Sequence, residues 1–297
     1  MLIATTLAAT TLTASLAITA SAVLVTPAEL QGLEQAQIVD VRAETDYLEA
    51  RIPGALIIDV PDLSAPTEDG VVNMLRPVEE VATRLYAAGL DPEKATIIYG
   101  AFAEPSDMLD TARLFWILEL LGWENVQVLD GGFPGWQAAG LAIESGEAPA
   151  VTPPANPPAA RIVRQRIATK EDVQRIREEG GAVLVDARGA TYHTGEKQSD
   201  SVARAGRIPG SINLPGESFV NFEGLSFLSA DAVRRGMADG GVDTDTPTVT
   251  YCNTGRSASV GYLVARIAGV ENVAVYDGSM AEWSSDATCP TETGDAE

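Results

Sequence analysis

The residues best suited to chemistry are Cys252-Asn253-Thr254-Gly255-Arg256-Ser257, which follow the β-rich run Thr248-Val249-Thr250-Tyr251. Tyr251 ends a predicted buried strand and Ser257 opens a predicted helix, so this segment is a strand-to-helix turn. Such a turn can direct consecutive backbone N–H groups toward one point, where the helix dipole adds positive potential. A cysteine at its start therefore has a stabilised thiolate and is a candidate nucleophile.

The other side chains of this loop suit attack on an electrophilic sulfur. Gly255 permits backbone angles that other residues avoid, Arg256 adds a positive charge, and Thr254 and Ser257 carry hydroxyl donors. A thiolate that takes sulfane sulfur becomes a persulfide, which a thiophilic acceptor then removes. The alternative is a buried cysteine that packs as a small hydrophobe, the commoner fate of a lone cysteine. The glycine, arginine and hydroxyl neighbours of Cys252 favour the chemical role.

An internal repeat indicates how the loop is positioned. Each half contains an apolar run ending in Asp-x-Arg, then Arg-Ile-Pro-Gly-small, a short β-rich run, and Glu-Asn-Val-x-Val-x-Asp-Gly-small-x-x-x-Trp. The copies lie at 38–42 and 184–188, 51–55 and 207–211, 96–99 and 248–251, and 124–136 and 271–283. Gly100 follows Tyr99 in the first copy where Cys252 follows Tyr251 in the second. The first half is therefore predicted to be inactive.

Strand-like runs alternate with helical stretches in both halves, such as Thr111 to Leu121 and Ser257 to Ile267. This alternation predicts an α/β fold with a mostly parallel sheet flanked by helices, present twice. The second helix places apolar residues on one face, at Val260, Leu263, Val264 and Ile267. The predicted boundaries are a first domain at 23–146, a proline-rich linker at 147–158, a second domain at 159–288 and a polar tail at 289–297.

Residues 1–22 contain no charged side chain and end in Ala20-Ser21-Ala22, which is typical of a secretory signal peptide. We therefore expect a periplasmic or secreted protein. The alternatives are that the segment remains as an anchor, or that it is not a signal and the protein is cytoplasmic. No other stretch is long and apolar enough to span a bilayer. The formal charge of −22 argues against nucleic acids and anionic membrane surfaces as partners.

The second cysteine, Cys289, lies in a polar segment, and a disulfide there would consume the one cysteine that has a loop built around it. We therefore predict no disulfide. His193 is the only histidine, and no cysteine pair has the spacing of metal ligands, so no metal site is expected. The proposed chemistry also implies no nucleotide or organic cofactor.

The order of these motifs resembles that of the tandem-domain rhodaneses, and the resemblance covers nearly all of the chain after residue 22. It implies two rhodanese-like domains and a thiosulfate or 3-mercaptopyruvate sulfurtransferase in which only the second domain is catalytic. It also implies that Cys252 carries the persulfide and that Asn253 to Ser257 cradle the donor anion and the bound sulfur. Arg188 corresponds to a substrate-contacting arginine, although bracing of its own domain is an equal alternative.

Two departures from the family bear on the sulfur donor. Arg207 replaces the histidine that often precedes Ile-Pro-Gly, and the loop matches neither of the usual thiosulfate or mercaptopyruvate loop sequences. Arg256, together with the basic stretch of Lys197, Arg204 and Arg207, favours the thiosulfate dianion, with 3-mercaptopyruvate as the alternative. For Lys197 and Arg204, a role in a solvated loop is at least as well supported. The expected partners are thus a small sulfur donor and a cyanide or thiol acceptor.

Two other functions fit the sequence less well than sulfur transfer does. Phosphatases and arsenate reductases of a related fold use Cys-x5-Arg, but Ala258 stands where that arginine is needed to clamp an oxyanion. Many rhodanese-like domains that only bind or regulate have lost their cysteine. The retention of Cys252 in a complete loop argues against such a non-catalytic module.

Overall fold

The computed structural model describes residues 23–33, 35–148, 150–154 and 159–294. The predicted signal peptide lies outside these ranges. The strands of the first domain are β1 Leu24–Val25, β2 Gln37–Asp40, β3 Leu56–Ile57, β4 Ser64–Ala65, β5 Met74–Leu75, β6 Thr96–Tyr99 and β7 Val126–Leu129. Its α-helices are α1 Pro27–Gln31, α2 Glu44–Glu49, α3 Val78–Ala87, α4 Met108–Leu120 and α5 Gly132–Ala138.

The second domain repeats this order of elements. Its strands are β8 Ile167–Ala168, β9 Val183–Asp186, β10 Ile212–Asn213, β11 Val220–Asn221, β12 Ser226–Phe227, β13 Thr248–Tyr251 and β14 Val273–Tyr276. Its α-helices are α6 Lys170–Glu179, α7 Ala190–His193, α8 Ala230–Asp239, α9 Arg256–Ala268 and α10 Ser279–Ser285. Short 3-10 turns complete both domains.

Each domain is built on one five-stranded parallel sheet, and the two sheets have the same topology. The strand order is β1-β7-β6-β2-β3 in the first domain and β8-β14-β13-β9-β10 in the second. Neighbouring strands pair in parallel throughout both sheets. The predicted duplicated α/β fold is therefore confirmed. Because all strands run the same way, the loops after β6 and β13 leave the same edge of their sheets, where ligands of such folds usually bind.

Each domain also extends a small antiparallel hairpin to the other domain. The β4–β5 hairpin of the first domain brings the backbone N–H of Leu75 to Asp277 Oδ2, at 2.8 Å. The β11–β12 hairpin of the second brings the N–H of Phe227 to Asp130 Oδ1, at 2.7 Å. Asp130 and Asp277 hold the same position in the repeated Asp-Gly motif. The two hairpin contacts are therefore equivalent, and a pseudo-twofold axis relates the two domains.

Helices α4 and α9 pack against each other at the centre of the domain interface. The ring centroids of Phe115 and Tyr262 lie 6.2 Å apart, and Arg266 Nε lies 3.1 Å from Glu119 Oε2. The face of α9 predicted to be apolar is buried, but so are most of its other residues. An amphipathic pattern indicates only one covered face, whereas α9 is covered on one side by its own sheet and on another by α4.

The segment after Ser285 belongs structurally to the second domain. Arg207 and Glu292 exchange two backbone hydrogen bonds of 2.9 and 3.0 Å, and Trp283 Nε1 donates to Pro290 O at 2.7 Å. Cys289 is fully buried. The structure thus extends the domain to residue 294, beyond the boundary expected at 288, because backbone pairing holds a segment that has a polar sequence.

The residues between the domains that the structure describes, 147–148 and 150–154, include no helix or strand. None of the helices in the described ranges is long and apolar enough to cross a membrane.

Candidate active site

Cys252 lies directly after β13 and is almost completely buried, with 2% of its surface exposed. The loop is fixed from behind by α10, because Met280 N donates to Cys252 O at 3.0 Å and Ala281 N donates to Asn253 O at 2.9 Å. These two bonds satisfy the carbonyl oxygens of Cys252 and Asn253. The backbone N–H groups of Asn253 and Thr254 donate to no acceptor in the described part of the chain. They remain available for an anion at the N-terminus of α9.

Ser279 ties the two ends of the loop together. Its hydroxyl accepts hydrogen bonds from Cys252 N and Gly255 N, each 3.1 Å long, and donates to Tyr276 O at 2.8 Å. The residue has a left-handed backbone with φ of 49°, which is strained for a residue other than glycine. Gly132 holds the same position in the first domain with φ of 55°. Ser279 is thus a strained residue that the loop requires for its hydroxyl.

Ser279 was not among the predicted site residues. The signal was present in the repeated Asp-Gly-small motif, in which the small residue is Gly132 in one copy and Ser279 in the other. A serine in a position that suits glycine indicates that its hydroxyl has a specific use.

Gly255 has a left-handed backbone, as expected from the sequence, with φ of 81°. A Cβ at this position would lie 2.5 Å from Asp277 Oδ1 and 3.1 Å from Arg113 Nη1. No side chain fits there, because the loop packs directly against an interdomain ion pair.

Arg188 reaches the loop through Asn253, whose Oδ1 accepts from Arg188 Nη1 at 3.1 Å. The same guanidinium donates to both oxygens of Asp186, with Nε–Oδ1 and Nη2–Oδ2 distances of 2.8 and 2.7 Å. Burial alone would lower the pKa of Arg188, but the hydrogen bonds and charge of Asp186 outweigh it and raise that pKa. Arg188 is therefore a permanent cation at the loop, and it also braces its own domain.

Asp186 is the buried centre of this network. His193 Nδ1 lies 2.9 Å from Asp186 Oδ2, and Tyr251 Oη donates to the same oxygen at 3.3 Å. Burial would raise the pKa of Asp186, but the hydrogen bonds from Arg188 and His193 outweigh it and lower that pKa. The carboxylate therefore stays ionised and keeps Arg188 oriented toward Asn253.

Three predicted site residues lie further along the loop. Arg256 turns to the first domain, where its Nη2 lies 2.5 Å from Asp110 Oδ1. The carbonyl of Thr254 accepts a hydrogen bond of 2.8 Å from Asn73 of the same domain. Ser257 lines a cavity of about 140 Å³ between the domains, together with Met108, Leu109 and Glu217, among other residues. The first domain therefore contacts the loop at Thr254, Gly255 and Arg256.

The structure does not bring Arg207 to the loop. Its side chain is buried and donates to Glu292 Oε1 at 2.5 Å and to Gly294 O at 2.6 Å. Arg51, at the same position of the first domain, makes the equivalent contacts with Glu144 and Gly146. The position predicted to contact substrate instead braces its own domain, and the repeat shows this bracing contact in both copies.

The rest of the basic stretch is likewise not at the loop. Arg204 donates to the carbonyls of Asp286 and Cys289, each at 2.7 Å, while the side chain of Lys197 is exposed. Both cysteines are free thiols.

In the corresponding loop of the first domain, side chains occupy the space that a cysteine and a bound anion would need. A Cβ placed on Gly100 would lie 2.5 Å from Thr111 Oγ1, so a cysteine does not fit there. Phe102 occupies the loop with φ of 61° and packs against Phe222 and Phe227 of the second domain, with centroid distances of 5.9 and 5.4 Å. In the first domain this loop serves the interface.

The arrangement does not offer the clamp that a Cys-x5-Arg phosphatase needs. Ala258 at the sixth position after Cys252 is buried, and the nearby Arg256 is paired with Asp110. A loop with free N–H groups behind a buried cysteine remains suited to holding a sulfur-bound anion.

Comparison with known proteins decides the family. The Rhodanese-like domain family matches residues 26–139 and again residues 169–286. The chain belongs to the rhodanese family. This rhodanese is 32% identical over 292 residues to the Mycobacterium tuberculosis protein named "Putative thiosulfate sulfurtransferase SseB", covering 92% of this chain and 98% of that one. It is 31% identical over 268 residues to a 3-mercaptopyruvate sulfurtransferase of Escherichia coli, covering 86% and 92% of the two chains.

Solved structures share the fold of this rhodanese. YnjE superposes with a TM-score of 0.82 at 26% identity, covering 92% of this chain and 69% of the other. The anaerobic ergothioneine biosynthesis enzyme from Chlorobium limicola, in complex with trimethyl histidine, superposes with a TM-score of 0.82 at 25% identity, covering 92% and 71%. The sulfurtransferase relatives support assignment of the chain as a transferase.

Proposed function

We propose that this rhodanese transfers sulfane sulfur through a persulfide on Cys252, with thiosulfate as the donor. The observation that carries the proposal is the cradle around Cys252, in which Ser279 holds the loop and the N–H groups of Asn253 and Thr254 meet no acceptor among the described residues. Two backbone donors at a helix N-terminus suit the sulfonate end of thiosulfate and the sulfur anion that follows.

The reaction is a two-step exchange at sulfur. The Cys252 thiolate attacks the outer sulfur of thiosulfate, an S–S bond forms to the enzyme, and the bond to the departing sulfite breaks with its electron pair. Cyanide then attacks the outer sulfur of the persulfide, leaving as thiocyanate and restoring the thiolate. A thiol acceptor would take the same sulfur as a new persulfide. No metal or organic cofactor takes part in either step.

3-Mercaptopyruvate is the second candidate donor, and a specific observation favours it. Arg256 is paired with Asp110 and Arg207 with Glu292, so two positive charges that favoured a dianion are neutralised by carboxylates. In that reaction the Cys252 thiolate forms an S–S bond with the donor sulfur, and the C–S bond of the donor breaks with its electron pair to give the enolate of pyruvate. The thiol proton of the donor then ends on that carbon as pyruvate leaves. Arg188 also contacts the loop, through Asn253, but its guanidinium is likewise paired with a carboxylate, that of Asp186.

The test is thiocyanate formation from cyanide with each donor, comparing the wild type with Cys252→Ala and Cys289→Ala. We expect activity in the wild type and the Cys289 variant and none in the Cys252 variant. Turnover by a folded Cys252→Ala protein would refute the persulfide mechanism. A wild type inert toward both donors would favour the non-catalytic binding module instead.

We also propose that residues 1–22 direct export to the periplasm or the exterior. The uncharged segment ending in Ala20-Ser21-Ala22 supports this. N-terminal sequencing of the protein from its source should then begin after Ala22, and a sequence beginning at residue 1 or 2 in the cytoplasmic fraction would contradict it.

A further inference from the structure

A buried ion pair joins the inactive domain to the catalytic loop. Arg113 of α4 places its Nη1 2.5 Å from Asp277 Oδ1, with side-chain exposures of only 2% and 3%. Asp277 Oδ2 accepts the N–H of Leu75 from the β4–β5 hairpin. Asp277 therefore has both oxygens bound by the first domain, although it belongs to the second.

The same contact extends to the loop itself. Arg113 Nη2 donates to the carbonyl of Asn73 at 3.3 Å, and Asn73 donates to the carbonyl of Thr254 at 2.8 Å. On the other side, Asp277 and Arg113 together fill the space in which a side chain on Gly255 would stand. Thr254 and Gly255, the two middle residues of the loop, are thus both contacted by groups that Arg113 holds in place.

The pseudo-twofold repeat shows that this contact is specific to the catalytic half. Asp130, the counterpart of Asp277, accepts the N–H of Phe227 in the same way. No arginine pairs with Asp130 among the described residues, and burial raises its pKa. Alignment of the two helices places Val260 at the position of Arg113. The ion pair therefore occurs beside the loop that has a cysteine, and not beside the loop that lacks one.

We propose that Arg113 is a positioning residue for the catalytic loop, which makes the inactive domain part of the active site. Its guanidinium holds Asp277 behind Gly255, and it neutralises a carboxylate that would otherwise lie uncompensated beside the thiolate loop. Two other charged side chains at the loop are already paired, Arg188 with Asp186 and Arg256 with Asp110. The inference rests on the proposed function, but part of its test is independent of turnover.

The experiment compares Arg113→Gln, Arg113→Lys, the double variant Arg113→Gln/Asp277→Asn and the matched control Asp130→Asn in the full chain. The first readout is the rate at which iodoacetamide alkylates Cys252 across a pH series, with Cys289 scored separately by peptide mass spectrometry. The second is kcat/KM for thiocyanate formation. Far-UV circular dichroism and urea unfolding identify any variant that does not fold.

In Arg113→Gln, the carboxylate of Asp277 is no longer compensated and should move the midpoint of the alkylation profile upward by about half to one pH unit. We expect kcat/KM to fall about tenfold or more, because kcat decreases while KM changes little. Arg113→Lys and the double variant should both return the alkylation midpoint to the wild-type value, because one retains the cation and the other removes the carboxylate. Asp130→Asn should leave the midpoint and kcat/KM unchanged.

A folded Arg113→Gln protein with wild-type alkylation and turnover would overturn the proposal. So would an Asp130→Asn protein with the same changes, or a double variant whose midpoint is displaced as far as that of the single variant. If Arg113→Gln does not fold, the double variant decides through turnover, because Arg113 and Asp277 no longer hold the loop in it. Its kcat/KM should be about tenfold below that of the wild type although its alkylation midpoint is unchanged, and wild-type turnover by the folded double variant would overturn the proposal. If the wild type transfers no sulfur from either donor, the proposed function fails, while the alkylation profiles still decide the role of Arg113.

Discussion

Replacing Ser279 with alanine should destabilise the second domain and loosen the loop that begins at Cys252. The hydroxyl of Ser279 uses its full hydrogen-bonding capacity, because it accepts from Cys252 N and Gly255 N and donates to Tyr276 O. In Ser279→Ala both buried N–H groups lose their acceptor. A buried donor without a partner costs about 1–3 kcal/mol, so the expected loss is about 2–6 kcal/mol of unfolding free energy.

Ser279→Gly separates the hydrogen bonds from the backbone strain. It also removes the hydroxyl, but glycine adopts φ of 49° without the cost that other residues incur there, which is about 1–2 kcal/mol. The glycine variant should therefore be more stable than the alanine variant by about 1 kcal/mol, yet less stable than the wild type. Both variants should lose sulfur transfer, because the loop needs the hydroxyl.

The assay is urea unfolding followed by circular dichroism, with thiocyanate formation measured on the same samples. Ser259→Ala is the matched control, because Ser259 is also a buried serine but its hydroxyl makes a single bond of 3.0 Å to Gly255 O. We expect that control to cost less than about 1.5 kcal/mol. If Ser279→Ala cost no more than Ser259→Ala and kept its activity, the role assigned to the Ser279 hydroxyl would be wrong.

Three further predictions concern the loop and its supports. Gly255→Ala should lower kcat/KM at least about tenfold, because its methyl group would meet Asp277 Oδ1 at 2.5 Å; Gly140→Ala, with φ of 69° and open space around it, should leave kcat/KM unchanged. Arg207→Gln should lower the Tm but keep KM for the donor within about twofold, whereas a large rise in KM would return Arg207 to the substrate site. Asp186→Asn should cost about 3–5 kcal/mol near neutral pH. Because the folded pKa of Asp186 is lowered, this contribution is present above the unfolded pKa and is lost as the pH falls through the folded one. Urea midpoints should therefore converge below about pH 4, and a constant difference down to pH 3 would contradict the assignment.

The sequence predicted the structure well at positions where only one physical explanation fits the residue types present. The runs at 96–99 and 248–251 are strands with the predicted bounds, since buried β-rich runs between turns have few other solutions. Gly255 is left-handed as expected. The placement of Cys252 after a buried strand and before a helix follows from the same local pattern.

The sequence was less informative about contacts between domains. Nothing in the spacing of Arg113, Asn73 and Asp277 shows that they meet, because the pairing depends on how two folded domains pack. Arginines were also ambiguous, since a guanidinium can bind a substrate anion or a carboxylate of its own chain. Arg256 and Arg207 both pair with carboxylates, and this became visible only when their partners, Asp110 and Glu292, were placed.

The most direct test of the account is the intact mass of the purified protein after incubation with thiosulfate and after a subsequent addition of cyanide. We predict that the wild type gains the mass of one sulfur atom, that peptide mapping assigns it to Cys252, and that cyanide removes it as thiocyanate. Cys289→Ala should behave in the same way, and Cys252→Ala should gain nothing. A sulfur found on Cys289, or turnover with no sulfur on Cys252 at any time, would contradict the central claim.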